Sequence, residues 1–378
     1  MSIKNVGIYI HVPFCLSKCK YCDFCSFPNA SPEKKEAYVK RLCEDICGYS
    51  LDSRAEYNSA DTVYFGGGTP SLLSGEQMRK ILCAIDRRFC ISSNAEITSE
   101  CNPGTVDCSK LGDMRDAGIN RLSIGLQSAN ANELEILGRI HSYDEFNNIL
   151  ETAREVGFCN ISADLMLGIP EQDAKSFRYS LDKVAGRVEH ISAYMLKIEE
   201  NTPFYRMRES LNFPDEDETC NMYESMSDIL TEYGYNKYEI SNFSKPMYES
   251  RHNLKYWKYD DYIGFGCAAH SFVYGQRTEN SRDIDGYING KNICISKSTV
   301  SHNDAMNEYI MLRMRLACGM DKVEFENRFG ENFDRMFREK FLKYSPDYVT
   351  LDSTNCAFTD KGMLVSNYIL SDVLNFDG

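Results

Sequence analysis

Residues Tyr9–Phe27 read Y-I-H-V-P-F-C-L-S-K-C-K-Y-C-D-F-C-S-F, and the fold is decided there. The apolar run before Pro13 has the pattern of a strand. It delivers the chain into Cys15, Cys19 and Cys22 at the spacing C-x3-C-x2-C. Three thiolates this close cannot all work from one strand, because alternate side chains point to opposite faces. They converge if the strand stops at Pro13 and a loop wraps around a shared centre. Iron–sulfur clusters take cysteine thiolates and usually need four, so three predict a [4Fe–4S] cluster with one iron left open. A four-cysteine zinc site wants two C-x2-C knuckles, or one knuckle and a distant His pair, and Cys19/Cys22 supply one knuckle. Most of the other cysteines read as small buried hydrophobes.

The chain has 378 residues, enough for a large core and two or three domains. Its 43% apolar and 26% charged content is ordinary for a globular protein. A formal net charge of −14 without a long Lys/Arg run argues against nucleic acid or an anionic membrane as the main partner. Sixteen cysteines and no signal-peptide-like opening predict reduced thiols in a cytoplasmic protein. No apolar run approaches the roughly 20 residues of a membrane span, so no integral membrane segment is expected.

Onward from the cysteine loop, strand and helix alternate as in parallel α/β architecture. Strands are expected at Val6–His11, Thr62–Phe65, Ala95–Glu100, Arg121–Leu126, Asn160–Leu167 and Ile191–Leu196. Ser31-Pro32 places an N-cap and an N1 proline at the start of a helix, and Ser74 with Gln77 forms a capping box. Helices are also expected up to Gly118, over Ala131–Leu137, Tyr143–Val156 and Lys175–Ala185. Past Lys197 the alternation stops. A helix follows Asp215 to about Tyr233, a strand is expected at Lys237–Ile240, and an aromatic-rich stretch runs from Arg251 to Tyr274. From about Ser301 the tail reads as helices with a short Val349–Leu351 strand, a small winged-helix-like module.

C-x3-C-x-Y-C resembles the signature of the radical S-adenosylmethionine (radical SAM) family. The preceding Y-x-H-x-P-F and following D-F are similar to the branch holding oxygen-independent coproporphyrinogen III oxidase and the haem chaperone HemW. The resemblance implies an α/β fold, a partial (β/α)6 barrel rather than a doubly wound sheet, with a C-terminal, mainly helical domain. It divides the chain into 1–245 with the cluster and SAM, 246–300 as a connecting segment, and 301–378. Cys15, Cys19 and Cys22 would hold three irons, and the fourth would chelate SAM.

Further motifs in the family's order extend the implied SAM site. Gly66-Gly67-Gly68-Thr69, E-x-N-P at Glu100, G-L-Q-S at Gln127, L-G-R-x-H at Arg139 and D-L-M-x-G-x-P at Asp164 all follow or flank strands. By the resemblance, backbone groups at Gly67, Gly68 and Thr69 hold the SAM amino end. Glu100, Gln127, Arg139 and Asp164 would bind its polar groups, with carboxylate, amide and guanidinium suited to hydroxyls, ammonium and carboxylate. Tyr9 and Tyr21 match positions that touch cofactor. The plainer reading pairs Arg139 with Asp164 and packs Tyr21 beside the cluster.

Two features separate the branches. Oxidases of this type carry a fourth cysteine two residues after the third, where this chain has Phe24, with Cys25 one later. They also carry an N-terminal extension ahead of the cluster, for which no room is expected here. His252-Asn253-Leu254-Lys255-Tyr256-Trp257 resembles the haem-associated H-N-x2-Y-W of HemW proteins, which implies haem contact by His252, Tyr256 and Trp257. On a helix, His252 and Tyr256 would share a face. Otherwise His252 caps a helix and Trp257 fills the interface with the tail. His270 is a second candidate ligand and Cys267 a weaker one. The expected function is a haem chaperone with cluster, SAM and haem as cargo, delivering to an apo-haemoprotein client. The alternative is a coproporphyrinogen III oxidase or another tetrapyrrole-modifying enzyme, so catalysis stays open. The resemblance further implies an electron donor such as flavodoxin or ferredoxin, and homodimerisation is compatible with it.

Overall fold

A computed structural model describes residues 4–50, 57–291 and 293–374. Six parallel strands form its centre: β1 (Lys4–Val12), β2 (Tyr57–Gly67), β3 (Ile91–Cys101), β4 (Arg121–Gln127), β5 (Ile161–Leu167) and β6 (His190–Met195). Each pairs with the next in chain order. The connections carry α1 (Pro32–Gly48), α2 (Gly75–Phe89), α3 (Cys108–Ala117), α4 (Ala131–Leu137), α5 (Tyr143–Val156) and α6 (Ala174–Val184). Local chemistry sets their ends. Ser31 accepts from Lys34 N–H, and Ser74 with Gln77 and Ser142 with Glu145 form reciprocal capping boxes. Gly118, Gly138 and Gly157 end α3, α4 and α5 in the left-handed region. Strands covered on both faces read as apolar runs, and all of β4 is buried.

The sheet continues beyond these six. Tyr262–Phe265 adds a seventh parallel strand beside β1, and His270–Val273, Gln276–Asn280 and Cys294–Thr299 extend that edge antiparallel. At the opposite edge Asn242–Ser244 pairs antiparallel with β6 and carries Asn236–Lys237. The strand expected over Lys237–Ile240 is therefore two shorter ones, and Glu239 between them bridges to Leu316. The two edges do not meet, so the sheet is an open arc of twelve strands.

The C-terminal module pairs Met320–Asp321, Asn355–Phe358 and Val349–Leu351 in a small antiparallel sheet beside helices Lys322–Phe329 and Phe333–Leu342. Its core centres on Phe325, which is fully buried and meets Tyr309, Phe329, Phe333 and Phe337 with ring centroids 5.1–6.2 Å apart. Among the described residues no helix is long and apolar enough to cross a membrane. Phe325→Ala removes that central ring, and chemical denaturation should read a loss of about 3–5 kcal/mol in unfolding stability.

Candidate functional site

The Cys15–Cys22 loop is fixed at its root. Phe14–Cys15 pairs in parallel with Phe27–Pro28, and Phe27 N–H donates to the Pro13 carbonyl at 2.7 Å. The turn after β2 lies against this root: Gly68 N–H donates to Val12 O at 2.9 Å and Thr69 N–H to Phe14 O at 2.7 Å. A Cβ on Gly68 would stand 2.6 Å from Phe14 O, so the contact itself demands glycine. Midway along the loop, Lys20 N–H donates to Leu137 O at the end of α4, and Lys20 O accepts from Phe204 N–H.

Cys15, Cys19 and Cys22 line one cavity of about 890 Å³ at the carboxyl ends of the parallel strands. The same walls carry Tyr9, Tyr21, Gly67, Gly68, Thr69, Glu100, Gln127, Arg139 and Asp164. Among the described residues no three His, Cys, Asp or Glu side chains converge as on a single ion. Thiolates that serve separate irons of a cluster need no such common point. Thr69 Oγ1 donates to Cys15 Sγ and Arg139 Nη1 to Cys19 Sγ, each at 3.6 Å.

The floor is acidic. Glu100 accepts from Tyr64 Oη (2.9 Å) and Gly67 N–H (3.1 Å). Removal from bulk solvent and the negative charge of Asp164 push its carboxyl up to about 7 against those donors. Burial likewise raises Asp164, which accepts from Ser123 and Ser162. Arg139 does not pair with Asp164. Its Nη2 donates to Asn102 Oδ1 and Gly125 O, while its buried Nε has no partner among the described residues. Gln127 sits at φ 72°, and its amide oxygen accepts from Tyr194 Oη at 2.8 Å.

These groups fit an amino-acid nucleotide. The orphaned Nε of Arg139 suits a carboxylate, and Glu100 suits hydroxyls or an ammonium. The amide N–H groups of Gly67, Gly68 and Thr69 are all engaged within the protein, so this turn can offer a ligand only acceptors, as an ammonium requires.

Of the three residues expected to meet haem, His252 and Tyr256 come together and Trp257 does not. His252, on the helix Arg251–Trp257, is 1% exposed. Its Nδ1 bonds Thr62 Oγ1 at 2.9 Å, its Nε2 bonds Tyr256 Oη at 2.8 Å, and its ring stacks on Tyr64. Burial, with Lys255 and Arg121 nearby, drives its pKa down to about 3. Tyr256 does line the cavity, sharing the expected helix face with His252. Trp257 lies apart, half-buried, with the Arg315 guanidinium 5.9 Å from its ring. His270 is exposed at the cavity mouth, and Cys267 is fully buried.

Wall residues that the sequence reading missed include His11, Asn102 and Arg121. His11 shares a hydrogen bond with Tyr9 Oη. Asn102 sits inside the quoted E-x-N-P and links Arg139 to Thr69. Arg121 is buried against the cavity with its Nε unpartnered among the described residues. A lone charged residue at the head of a strand that is otherwise uncharged was the available signal.

An open parallel α/β sheet with a three-cysteine loop over its carboxyl edge defines the radical SAM class. The sequence model of the Radical SAM superfamily matches residues 9–184, and that of the HemN C-terminal domain residues 300–365. The heme chaperone HemW of Escherichia coli (strain K12) is 35% identical, with 98% of each chain covered. Heme chaperone HemW of Bacillus subtilis (strain 168) is 33% identical over 97% of this chain and 98% of its own. Among solved structures, coproporphyrinogen III oxidase (HemN) from Escherichia coli shares the fold at a TM-score of 0.81 and 21% identity, covering 99% of this chain and 91% of that one. The chain belongs to the HemW family.

The raised Glu100 carboxyl has a signed consequence. The folded state holds its proton more tightly than the unfolded chain does, so stability falls as pH rises from the ordinary glutamate range through about 7. Glu100→Gln should therefore stabilise the ligand-free protein at pH 8. That advantage should shrink by about 2 kcal/mol at pH 5.5, measured by denaturant titration at both values.

Proposed function

We propose that this protein is a HemW-type haem chaperone that carries a [4Fe–4S] cluster and SAM in the cavity and passes haem to an apoprotein. One observation carries the reading. In a chain of this family, three loop thiols share a cavity with an orphaned guanidinium nitrogen, two carboxylates and an amide. Cys15, Cys19 and Cys22 would each hold one iron. When bound, the cluster would supply an open iron for the methionine end of SAM and an electron for its sulfonium. Arg139 would take the SAM carboxylate, while Glu100, Gln127 and Asp164 would meet its hydroxyl and ammonium groups. Tyr9 and Tyr21 wall the site, and Gly67, Gly68 and Thr69 present acceptors.

Haem is the cargo, and an imidazole is a standard axial ligand for its iron. Contact through His252, Tyr256 and Trp257 requires the Tyr256 hydroxyl to leave His252 Nε2. His270 needs no such rearrangement. Phe24, 66% exposed at the mouth, stands where oxidases have their fourth cysteine, which supports transfer over decarboxylation. A flavodoxin or ferredoxin as electron source, an apo-haemoprotein client and a cytoplasmic setting for sixteen free thiols complete the reading.

Replacing Cys15, Cys19 and Cys22 by serine should abolish iron and sulfide binding and weaken SAM at least 100-fold, measured on anaerobically reconstituted protein. Arg139→Lys, which keeps charge but loses the fork, should weaken SAM about 10-fold while iron content stays full. Haem titration followed at the Soret band separates the histidines. Loss of the shift in His252→Ala alone assigns the helix, and loss in His270→Ala alone assigns the rim. An unchanged shift in the double variant contradicts haem ligation by either.

A further inference from the structure

Beyond the three cluster cysteines, a fourth lies at the end of the same loop. Cys25 Sγ stands 3.9 Å from Cys267 Sγ, although 242 residues separate them in sequence. The two sulfurs ride on separately anchored backbones. Cys25 O is held by His11 Nε2 at 2.9 Å. Cys267 N–H donates to Tyr38 Oη at 3.0 Å, and the next residue, Ala268, donates its N–H to Ser281 O. Their exposures differ: Cys25 is half-buried and lines the cavity, whereas Cys267 is fully buried.

We propose that Cys25 and Cys267 form an oxidisable thiol pair, with Cys25 the attacking sulfur and Cys267 the resolving one, closed by a low-molecular-weight disulfide that enters through the cavity. The Cys25 thiolate attacks one sulfur of that disulfide, forming a mixed disulfide and releasing one thiolate. Cys267 then attacks the Cys25 sulfur, its proton passing to the second small-molecule sulfur, which leaves as a thiol. Two protein thiols are oxidised and one small disulfide is reduced to two thiols. The sulfurs must approach by about 2 Å to reach bonding distance. The polarity of the pair supports the assignment of roles. The sulfur–sulfur contact, with His11 and Arg282 nearby, lowers Cys25 to about 5, while Cys267, whose thiol also lies 3.1 Å from Ser281 O, is held up by the same contact and by burial. The new bond would fasten the end of the cysteine loop to the segment after Tyr262–Phe265, and it involves none of the proposed iron ligands.

The test uses cluster-loaded protein, incubated anaerobically with glutathione disulfide, unfolded in alkylating reagent and digested for mass spectrometry. The expected result is a linked peptide pair containing Cys25 and Cys267, formed at least 10-fold faster than mixed disulfides at the exposed Cys47, Cys83 and Cys108. Cys267→Ser should trap glutathione on Cys25 instead. If both cysteines remain alkylatable while the exposed ones are modified, the proposal is overturned. It is equally overturned if Cys25 becomes reactive only after the cluster is stripped, because that would make it an iron ligand.

Discussion

The structure depends on one contact: the seating of the β2 turn against the root of the cysteine loop. Without a side chain at Gly68, two backbone N–H groups reach the carbonyls of Val12 and Phe14. That seating closes the loop over the strand ends rather than beside them. A continuous set of hydrogen bonds then runs from Cys15 through Thr69 and Asn102 to Arg139, which also touches Cys19. Loop and cavity wall are therefore one polar unit, and the geometry of the sulfurs is tied to the side chain proposed to grip the nucleotide.

The cavity floor combines Glu100 and Asp164, both pushed toward the protonated form, with two buried arginines, Arg121 and Arg139, whose Nε atoms have no partner among the described residues. Unpaired polar groups are costly in a dry interior. Their concentration in one hollow is the arrangement of a site built to be completed by a polar ligand.

Much of this was legible in the sequence for physical reasons. Caps such as Ser31-Pro32 and Ser74/Gln77 act within one helical turn, and the parallel strands are apolar because both faces are covered. The thiol spacing directly encodes a loop. The added strands were not legible. Gln276–Asn280 and Cys294–Thr299 are largely polar, and the latter is exposed throughout, so neither carries a hydrophobic period. The state of His252 was hidden for another reason. Its i, i+4 partner Tyr256 could be read, but Thr62, which takes its other nitrogen, lies 190 residues earlier. Arg121 escaped because a charge at the first residue of a strand ordinarily marks a solvent-facing end.

The short helix Arg251–Trp257 begins on a carboxylate that belongs to another part of the sheet: Glu96 of β3 accepts from the N–H groups of Arg251 and His252, each at 3.0 Å. Lifting the helix to liberate its imidazole would strip a buried carboxylate of both donors, about 3–6 kcal/mol at 1.5–3 for each hydrogen bond to a charged group. Freeing the imidazole by that route would therefore require an incoming group whose own interactions offset the loss.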